Sequence, residues 1–441
     1  MSALKVLTFG VSLVLGLQAW DDPGTDFAAR QIAAAAALDE HDYARGIQIF
    51  EECALAARTD RERTAALAGY GIALRGADRD REARVALEKA LAGWPEADVS
   101  DGREERGAVA AVLAAADRKV GDYAGAEEVL QTALGKPGNS SAIRAILVVN
   151  LADLLREQAR IPEAWLALRQ SGDLTGLPLM QQLGVKEEMA ELMRDSGNFN
   201  ASVALWNQVM EIAVGAHSVR LEAVAAGGLG ETWFAVGNVA RAEPLLRRSL
   251  QLLREDSETK PSQLAVALAL MGRVYITENK LALAGDALDE AIQKDEKSLG
   301  PTHPQIAVLL ELKADTESRR GEPQEARDEL ERAQTIMSGH FGAESTAVAG
   351  VLAELGDVEV RANEPKVAVL EYEKALTMLR EQGDERWRLS SGIIARYAAA
   401  LKAVHRGDEA KQLLKSISTV ASGGKSGSTT IVAGAQSFRE K

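Results

Sequence analysis

Small and large apolar residues recur along the chain at helical spacing, and this recurrence predicts the secondary structure. Apolar residues repeat three and four positions apart, whereas the apolar–polar alternation of strands is nearly absent. We therefore predict an all-α protein. One position holds only Gly or Ala, at spacings of 37, 43, 38, 38 and 40 residues and then 42 residues four times. We call it the small-residue position, and it is occupied by Ala34, Gly71, Ala114, Ala152, Ala190, Gly230, Gly272, Ala314, Gly356 and Ala398.

Each repeat also places a second small residue and a large one at fixed distances. Twelve residues after Gly230 comes Ala242, and four residues later comes Leu246. A Gly inside a helix costs about 1 kcal/mol relative to Ala. We expect two paired helices to approach closely at Gly230, because burial of a large apolar side chain such as Leu246 contributes about 1.5–3 kcal/mol. Before the second helix we predict a turn, at Gly121, Gly197, Gly237, Asn279, Gly321 and Asn363.

This register resembles the tetratricopeptide repeat, whose signature is W-x2-L-G-x2-Y followed by A-x3-F and a later Pro. Leu229, Gly230 and Trp233 match its first half, and Ala242 and Leu246 match its second. The resemblance covers about residues 27–415, and the 42-residue spacing resembles the repeat of kinesin light chains and many bacterial proteins. It implies a right-handed superhelical solenoid of about ten helix pairs across residues 25–415.

The sequence departs from the repeat signature at a few positions. Ser171 and Ser202 replace alanine, and Glu317 and Glu359 stand where an aromatic residue is common. The aromatic residues Phe50, Trp206, Trp233 and Tyr372 fall at positions that we expect to be core, as does the single cysteine, Cys53.

The two ends of the protein differ from the repeats. Residues 1–19 combine Lys5, an apolar run over residues 6–17 and a small Ala19, which is typical of a secretory signal peptide. We expect an exported protein, periplasmic or secreted; the alternative is an N-terminal segment that stays uncleaved and tethers the protein to a membrane. Residues 416–441 are rich in Gly, Ser and Thr and are expected to form a flexible tail, unless residues 429–438 dock onto the repeats or a partner.

Composition and motifs argue against several classes of function. The protein has 441 residues and a formal net charge of −14, which disfavours binding to nucleic acid or to an anionic membrane surface. No two of the five histidines have the i, i+4 spacing of a helical zinc site, and no phosphate-binding glycine loop or GxSxG motif occurs. We therefore predict no catalytic residues, no metal and no cofactor.

In the tetratricopeptide architecture the first helix of each pair, the A helix, lines a concave groove. Groove residues then lie one, four and five positions after the small-residue position. Four consecutive repeats carry Arg at the four-residue offset, a basic ladder suited to an acidic segment or the C-terminus of a partner. The candidate binding residues are Arg75, Arg118, Lys119, Arg156, Arg194, Glu231, Phe234, Arg273, Ile276, Asp315, Arg319, Asp357 and Arg361.

A structural role for the same charges is the alternative. Asp153–Arg156 and Glu191–Arg194 are three residues apart, and Asp315–Arg319 and Asp357–Arg361 are four apart, the spacings of intrahelical ion pairs.

The function predicted from these features is an exported, non-catalytic scaffold that binds a protein or peptide segment in the groove. A regulatory or sensor subunit that controls a neighbouring enzyme is the alternative.

Overall fold

The chain folds into consecutive helix pairs, as the repeat predicts. The computed structural model describes residues 25–40, 42–77, 79–94, 103–136, 139–158, 160–172, 174–257, 259–381 and 390–423. These described residues form twenty α-helices, one short 3₁₀ turn and no strand. Odd-numbered helices are the A helices and even-numbered helices the B helices of ten pairs. Their bounds are α1 Thr25–Asp39, α2 Tyr43–Ala56, α3 Asp60–Gly76, α4 Asp80–Ala92, α5 Arg103–Lys119, α6 Tyr123–Gly135, α7 Ser141–Glu157, α8 Ile161–Leu168, α9 Leu179–Asp195, α10 Phe199–Gly215, α11 Val219–Ala235, α12 Val239–Glu255, α13 Pro261–Thr277, α14 Leu281–Leu299, α15 Pro304–Arg320, α16 Pro323–Phe341, α17 Thr346–Arg361, α18 Pro365–Glu381, α19 Ser391–Ala403 and α20 Gly407–Gly423.

The two end segments that differ in composition lie mostly beyond the described helices. The predicted signal peptide, residues 1–19, lies outside the described residues, as do residues 424–441. Helix α20 continues to Gly423, past the boundary at residue 415 that the composition suggested. Among the helices the structure describes, none combines the length and the apolar character that a membrane crossing requires.

The protein divides into two compact units, Met1–Gly228 and Leu229–Lys441. Within the first unit each A helix packs on its own B helix, and α3, α5, α7 and α9 also pack on one another in succession. Within the second unit the same arrangement links α13, α15, α17 and α19. Each pair therefore completes its core with the next pair, as expected for stacked repeats.

The small-residue position is where the two helices of a pair approach most closely. A Cβ at Gly230 would lie 2.6 Å from Cγ of Leu246, and a Cβ at Gly71 would lie 2.5 Å from Cγ of Leu87. At Gly356 the same atom would lie 2.7 Å from the Tyr372 ring. The prediction that glycine at this position allows burial of the large residue sixteen positions later is confirmed.

The large residues at this offset are buried in the first nine repeats. Phe50, Trp206 and Tyr372 are core residues, and Cys53 is also fully buried, so their predicted packing role is confirmed. Trp233 differs: it is only partly buried, and the guanidinium carbon of Arg241 lies 4.5 Å from the centroid of its ring. The tenth copy differs, because Leu414 in α20 is 37% exposed.

Two of the aromatic residues at this offset, Phe50 and Trp206, lie against a glycine of the following repeat. A Cβ at Gly69 would lie 2.3 Å from the Phe50 ring, and a Cβ at Gly228 would lie 2.2 Å from the Trp206 ring. Each glycine stands two residues before the small-residue position of the next repeat. These glycines therefore admit an aromatic side chain between consecutive repeats.

The turns within the pairs have the geometry that their residues predict. Gly121, Gly197, Gly237 and Gly321 have φ between 76° and 86°, and Asn279 and Asn363 have φ of 59° and 63°. Glycine and asparagine tolerate this left-handed conformation best.

The acids that replace an aromatic residue are held by cations. Arg327 of α16 donates to both carboxylate oxygens of Glu359 in α17, at 2.7 and 2.8 Å. Asp117 of α5, at the same offset in the third repeat, lies 3.0 Å from Nε of Arg84 in α4. Burial nevertheless raises the pKa of Asp117 to about 6. In both repeats a B-helix arginine compensates a buried acid of the next A helix.

Candidate functional site

The predicted basic ladder lies in the first unit, and its arginines are engaged by carboxylates of the same unit. Arg75 is only 4% exposed, and its Nε lies 3.0 Å from Oδ1 of Asp80. Nη1 of Arg118 in α5 lies 2.5 Å from Oδ2 of Asp153 in α7. Its Nε lies 3.6 Å from Glu157. Arg75 and Arg118 therefore have internal partners, which lie on other helices and do not follow from the spacing within one helix.

Arg156 lies at the centre of the ladder and contacts four carboxylates. Its Nη2 lies 2.5 Å from both Asp153 and Glu191, and its Nε lies 2.9 Å from Glu188. Asp195, at 3.4 Å from Nη1, is the fourth carboxylate, and it also pairs with Arg194 at 2.9 Å. The intrahelical pair Asp153–Arg156 is confirmed, but most of these contacts join α7 to α9.

Three of these carboxylates have the arrangement of a cation site. Ligand oxygens of Asp153, Glu188 and Glu191 lie within 4.8 Å of one another, and all three residues are buried. The guanidinium of Arg156 donates into this group, so the protein itself supplies the compensating cation. Lys119, the remaining predicted cation of this unit, is partly buried. Burial raises the pKa of the neighbouring Glu157 carboxyl, and Lys119 is among the cations that oppose this effect.

The A helices at the middle of the first unit have no accessible face. Every residue from 107 to 117 in α5 and from 145 to 155 in α7 is buried. Alanine at Ala111, Ala115 and similar positions allows neighbours to pack on all sides of α5. A segment could not lie along either helix without displacing core residues.

The A helices of the second unit keep an accessible face. Val308 of α15 and Val360 of α17 are 48% and 46% exposed. The predicted residues Phe234 and Ile276 are buried, and the guanidinium carbon of Arg273 lies 5.0 Å from the centroid of the Phe234 ring. Glu231 is partly buried in α11.

Two predicted arginines of this face share one carboxylate. Nε of Arg319 lies 3.1 Å from Oδ2 of Asp315, and Nη2 of Arg361 lies 3.0 Å from Oδ1 of the same residue. Arg361 also donates to Oγ of Ser318 at 3.2 Å. The side chains of Arg319 and Arg361 remain 34% and 31% exposed, whereas Asp315 is buried.

Asp357, the last predicted residue, belongs to a buried network. It accepts a hydrogen bond from the Tyr372 hydroxyl and forms an ion pair with Arg396 of α19. The sequence indicated Arg361 as its partner; the structure directs Arg361 to Asp315 in the adjacent A helix instead. Arg396 was missed because it lies two residues before the small-residue position, outside the three offsets considered.

Comparison with known proteins supports the repeat assignment. Residues 263–339 match the tetratricopeptide repeat family model. A search of curated proteins finds no match. Among solved structures, a Rap protein complexed with Competence and Sporulation Factor is similar with a TM-score of 0.55 at 9% identity. The match covers 82% of this protein and 98% of that one.

Two further similar structures cover less of this protein. BtubC (BKLC) from P. vanneervenii has a TM-score of 0.44 at 17% identity, covering 53% of this protein and 96% of its own length. A tetratricopeptide repeat protein from Parabacteroides merdae has a TM-score of 0.37 at 19% identity, covering 63% and 95%. The residues that match the family model lie in α13–α16, and helix pairs of the same kind recur in both units, so the fold is that of tetratricopeptide repeats.

Proposed function

We propose that this protein is an exported, non-catalytic scaffold that binds a segment of a partner protein along the A helices of its second unit. The accessible face of α15 and α17 supports this location, because an extended segment needs a continuous surface that core side chains do not occupy. The paired arginines Arg319 and Arg361 carry the proposal. Two partly exposed guanidinium groups that share one buried carboxylate retain hydrogen-bond donors for a ligand.

The partner segment that fits these arginines is acidic, or it ends in a carboxylate. The first unit is a weaker candidate for the same ligand, since Arg156 faces four carboxylates there. An additional acidic group near Arg156 would meet net negative charge. Anion binding is therefore assigned to Arg319 and Arg361 rather than to Arg75, Arg118, Arg156 and Arg194.

Charge reversal tests the proposed site. Partners are first identified by crosslinking and mass spectrometry in the native host, and their binding to the Arg319→Glu/Arg361→Glu variant is then measured. Binding should fall at least about tenfold, because each lost charge-assisted contact is worth about 1.5–3 kcal/mol. The matched control is Arg254→Glu/Arg332→Glu, which reverses two half-exposed arginines on the B helices α12 and α16.

The two sets of variants give distinct outcomes. Lost binding in the A-helix variant alone, measured at a temperature where circular dichroism shows that this variant keeps its helices, supports the proposed face. Equal loss in both variants indicates a general charge effect and contradicts it. If the protein is instead a regulatory subunit, the rate of a partner enzyme should change when a ligand binds to this protein.

Export is tested independently of binding. We expect the mature protein to begin after Ala19 and to fractionate outside the cytoplasm. An intact mass that retains residues 1–19 in the membrane fraction would support the tethered alternative.

A further inference from the structure

The accessible face of the second unit also contains a carboxylate that lacks a cation. Glu311 lies on α15, one helical turn before Asp315, and is partly buried. Among the described residues no hydrogen bond or ion pair engages it, and the charge that acts on it is the carboxylate of Glu354 in α17. Burial and this neighbour raise the pKa of Glu311 to about 8. An ionised carboxylate in such a place is stabilised by any cation that reaches it.

The cation that lies beside Glu354 is already committed to another acid. Nη1 of Arg396 lies 3.8 Å from Oε1 of Glu354, and the same nitrogen forms the close ion pair with Asp357. Asp315, the next acid along α15, is engaged by Arg319 and Arg361. The neighbouring arginines therefore leave the carboxyl group of Glu311 without a cation, and burial beside Glu354 favours its protonated form.

The surface beside the two glutamates is open. Gly350 in α17 and Gly392 in α19 both stand six residues before the small-residue position. A Cβ at either glycine would meet no atom within 4 Å. Val308 occupies the same position in α15 and is 48% exposed. Glycine inside a helix is unfavourable by about 1 kcal/mol, and neither glycine is required by internal packing. This shallow surface leaves room for a backbone to approach and for an aliphatic stem to lie on Val308.

The two glutamates and the arginine pair lie at a defined separation. Glu311 and Arg319 are eight residues apart on α15, which is about 12 Å at a rise of 1.5 Å per residue. An extended segment covers this distance in about four residues. One face thus presents two neighbouring glutamate carboxyl groups at one end and guanidinium donors at the other.

We infer that this face binds a segment of a partner protein that carries a lysine or arginine about four residues from a carboxylate. The basic group of the segment contacts Glu311 and Glu354 with its stem on Val308, and the carboxylate contacts Arg319 and Arg361. This inference rests on the proposed function. It adds a basic residue to the acidic group of the bound segment, and it gives the direction in which the segment lies. Opposite charges at the two ends give complementarity that a reversed segment lacks.

Selection from a phage-displayed library of random peptides tests the inference on the full-length protein. Wild-type protein should enrich peptides that contain both a basic and an acidic residue, about three to five positions apart for a separation of about 12 Å. The Glu311→Gln/Glu354→Gln variant should lose the enrichment of Lys and Arg and retain that of Asp and Glu. The Arg319→Gln/Arg361→Gln variant should show the converse loss.

A measurement on the ligand keeps the test independent of how the variants fold. A selected peptide is synthesised with its lysine replaced by norleucine, which keeps the aliphatic stem and removes the charge. Binding to wild-type protein should weaken at least about fivefold, and the Glu311→Gln/Glu354→Gln variant should bind both peptides equally.

The possible results separate the two proposals. If acidic residues are enriched without basic ones, or if norleucine binds as well as lysine, the basic contact is overturned while the scaffold proposal stands. If wild type and both variants enrich the same peptides, or none, the binding face itself is wrong.

Discussion

Arg118 in α5 donates to Asp153 in α7 at 2.5 Å, which joins two consecutive A helices by a buried charge pair. The register of this contact recurs, because Arg156 reaches Glu191 of α9 in the same way. In each case the arginine lies four residues after the small-residue position of its own repeat. The acid lies one residue after the small-residue position of the next repeat. The arginines therefore fasten neighbouring repeats.

Removal of Arg156 should destabilise the first unit strongly. Asp153, Glu188 and Glu191 would each lose an ion pair with Arg156, while Asp153 would keep its pair with Arg118. Removing one partner of a buried ion pair costs about 3–5 kcal/mol. Urea unfolding of Arg156→Ala monitors this loss. The control is Arg332→Ala, which removes a half-exposed arginine paired with Glu296. For this change we expect the free energy of unfolding to fall by only about 0–1 kcal/mol. Similar effects of both changes would contradict a central role for Arg156.

Two glycine-to-alanine changes should have opposite effects. Gly230→Ala places a Cβ 2.6 Å from Cγ of Leu246 and should destabilise by about 1–3 kcal/mol through overpacking. Gly350→Ala meets no atom within 4 Å, so the better helix propensity of alanine should raise stability by up to about 1 kcal/mol. Thermal melting of both variants checks the pair. A gain in stability at Gly230 would show that the helices do not approach as described.

Gly228 and Trp206 should be energetically coupled. Gly228→Ala brings a Cβ to 2.2 Å from the indole ring, so it should destabilise the first unit. In a Trp206→Leu background the ring is gone, and we expect Gly228→Ala to cost at least about 1 kcal/mol less in the free energy of unfolding. If Gly228→Ala lowers the free energy of unfolding equally in both backgrounds, the contact with the Trp206 ring is not the reason that position 228 requires glycine.

Glu311 should make stability decrease with increasing pH. Its pKa rises from an ordinary value of 4.5 to about 8 in the folded protein. Below about pH 4 the carboxyl is protonated in both the folded and unfolded states, so its ionisation does not change the free energy of unfolding there. Between these pKa values the unfolded state ionises first, so the folded state loses relative stability until about pH 8.

Glu311→Gln isolates this effect. The variant should match wild type near pH 4 and exceed its stability at pH 8 by up to about 4 kcal/mol, the value that a pKa raised from 4.5 to about 8 implies. Urea unfolding across this range is the measurement, and Glu290→Gln on the exposed side of α14 is the control. A difference that stays constant with pH would exclude titration of Glu311 as its cause.

The helix pairs could be predicted from the sequence because close backbone approach restricts single positions to Gly or Ala. Gly230 and Gly356 show this restriction directly, without reference to any other residue. The partners of the arginines were harder to predict. Asp153–Arg156 was found because both residues lie on one helix, whereas Arg361–Asp315 depends on the stagger between α15 and α17, which packing of many side chains determines. A search for acids and arginines at matched offsets in consecutive repeats would have found Arg118–Asp153.

Leu414 in α20 is less covered than the equivalent residues of earlier repeats. The equivalent residues Leu330 and Tyr372 are covered, while Leu414 retains 37% of its surface in α20. Cooperativity in stacked repeats comes from such nearest-neighbour coverage. Helix α20 should therefore open more readily than α15 and α17, so its amide protons should exchange with deuterium before theirs.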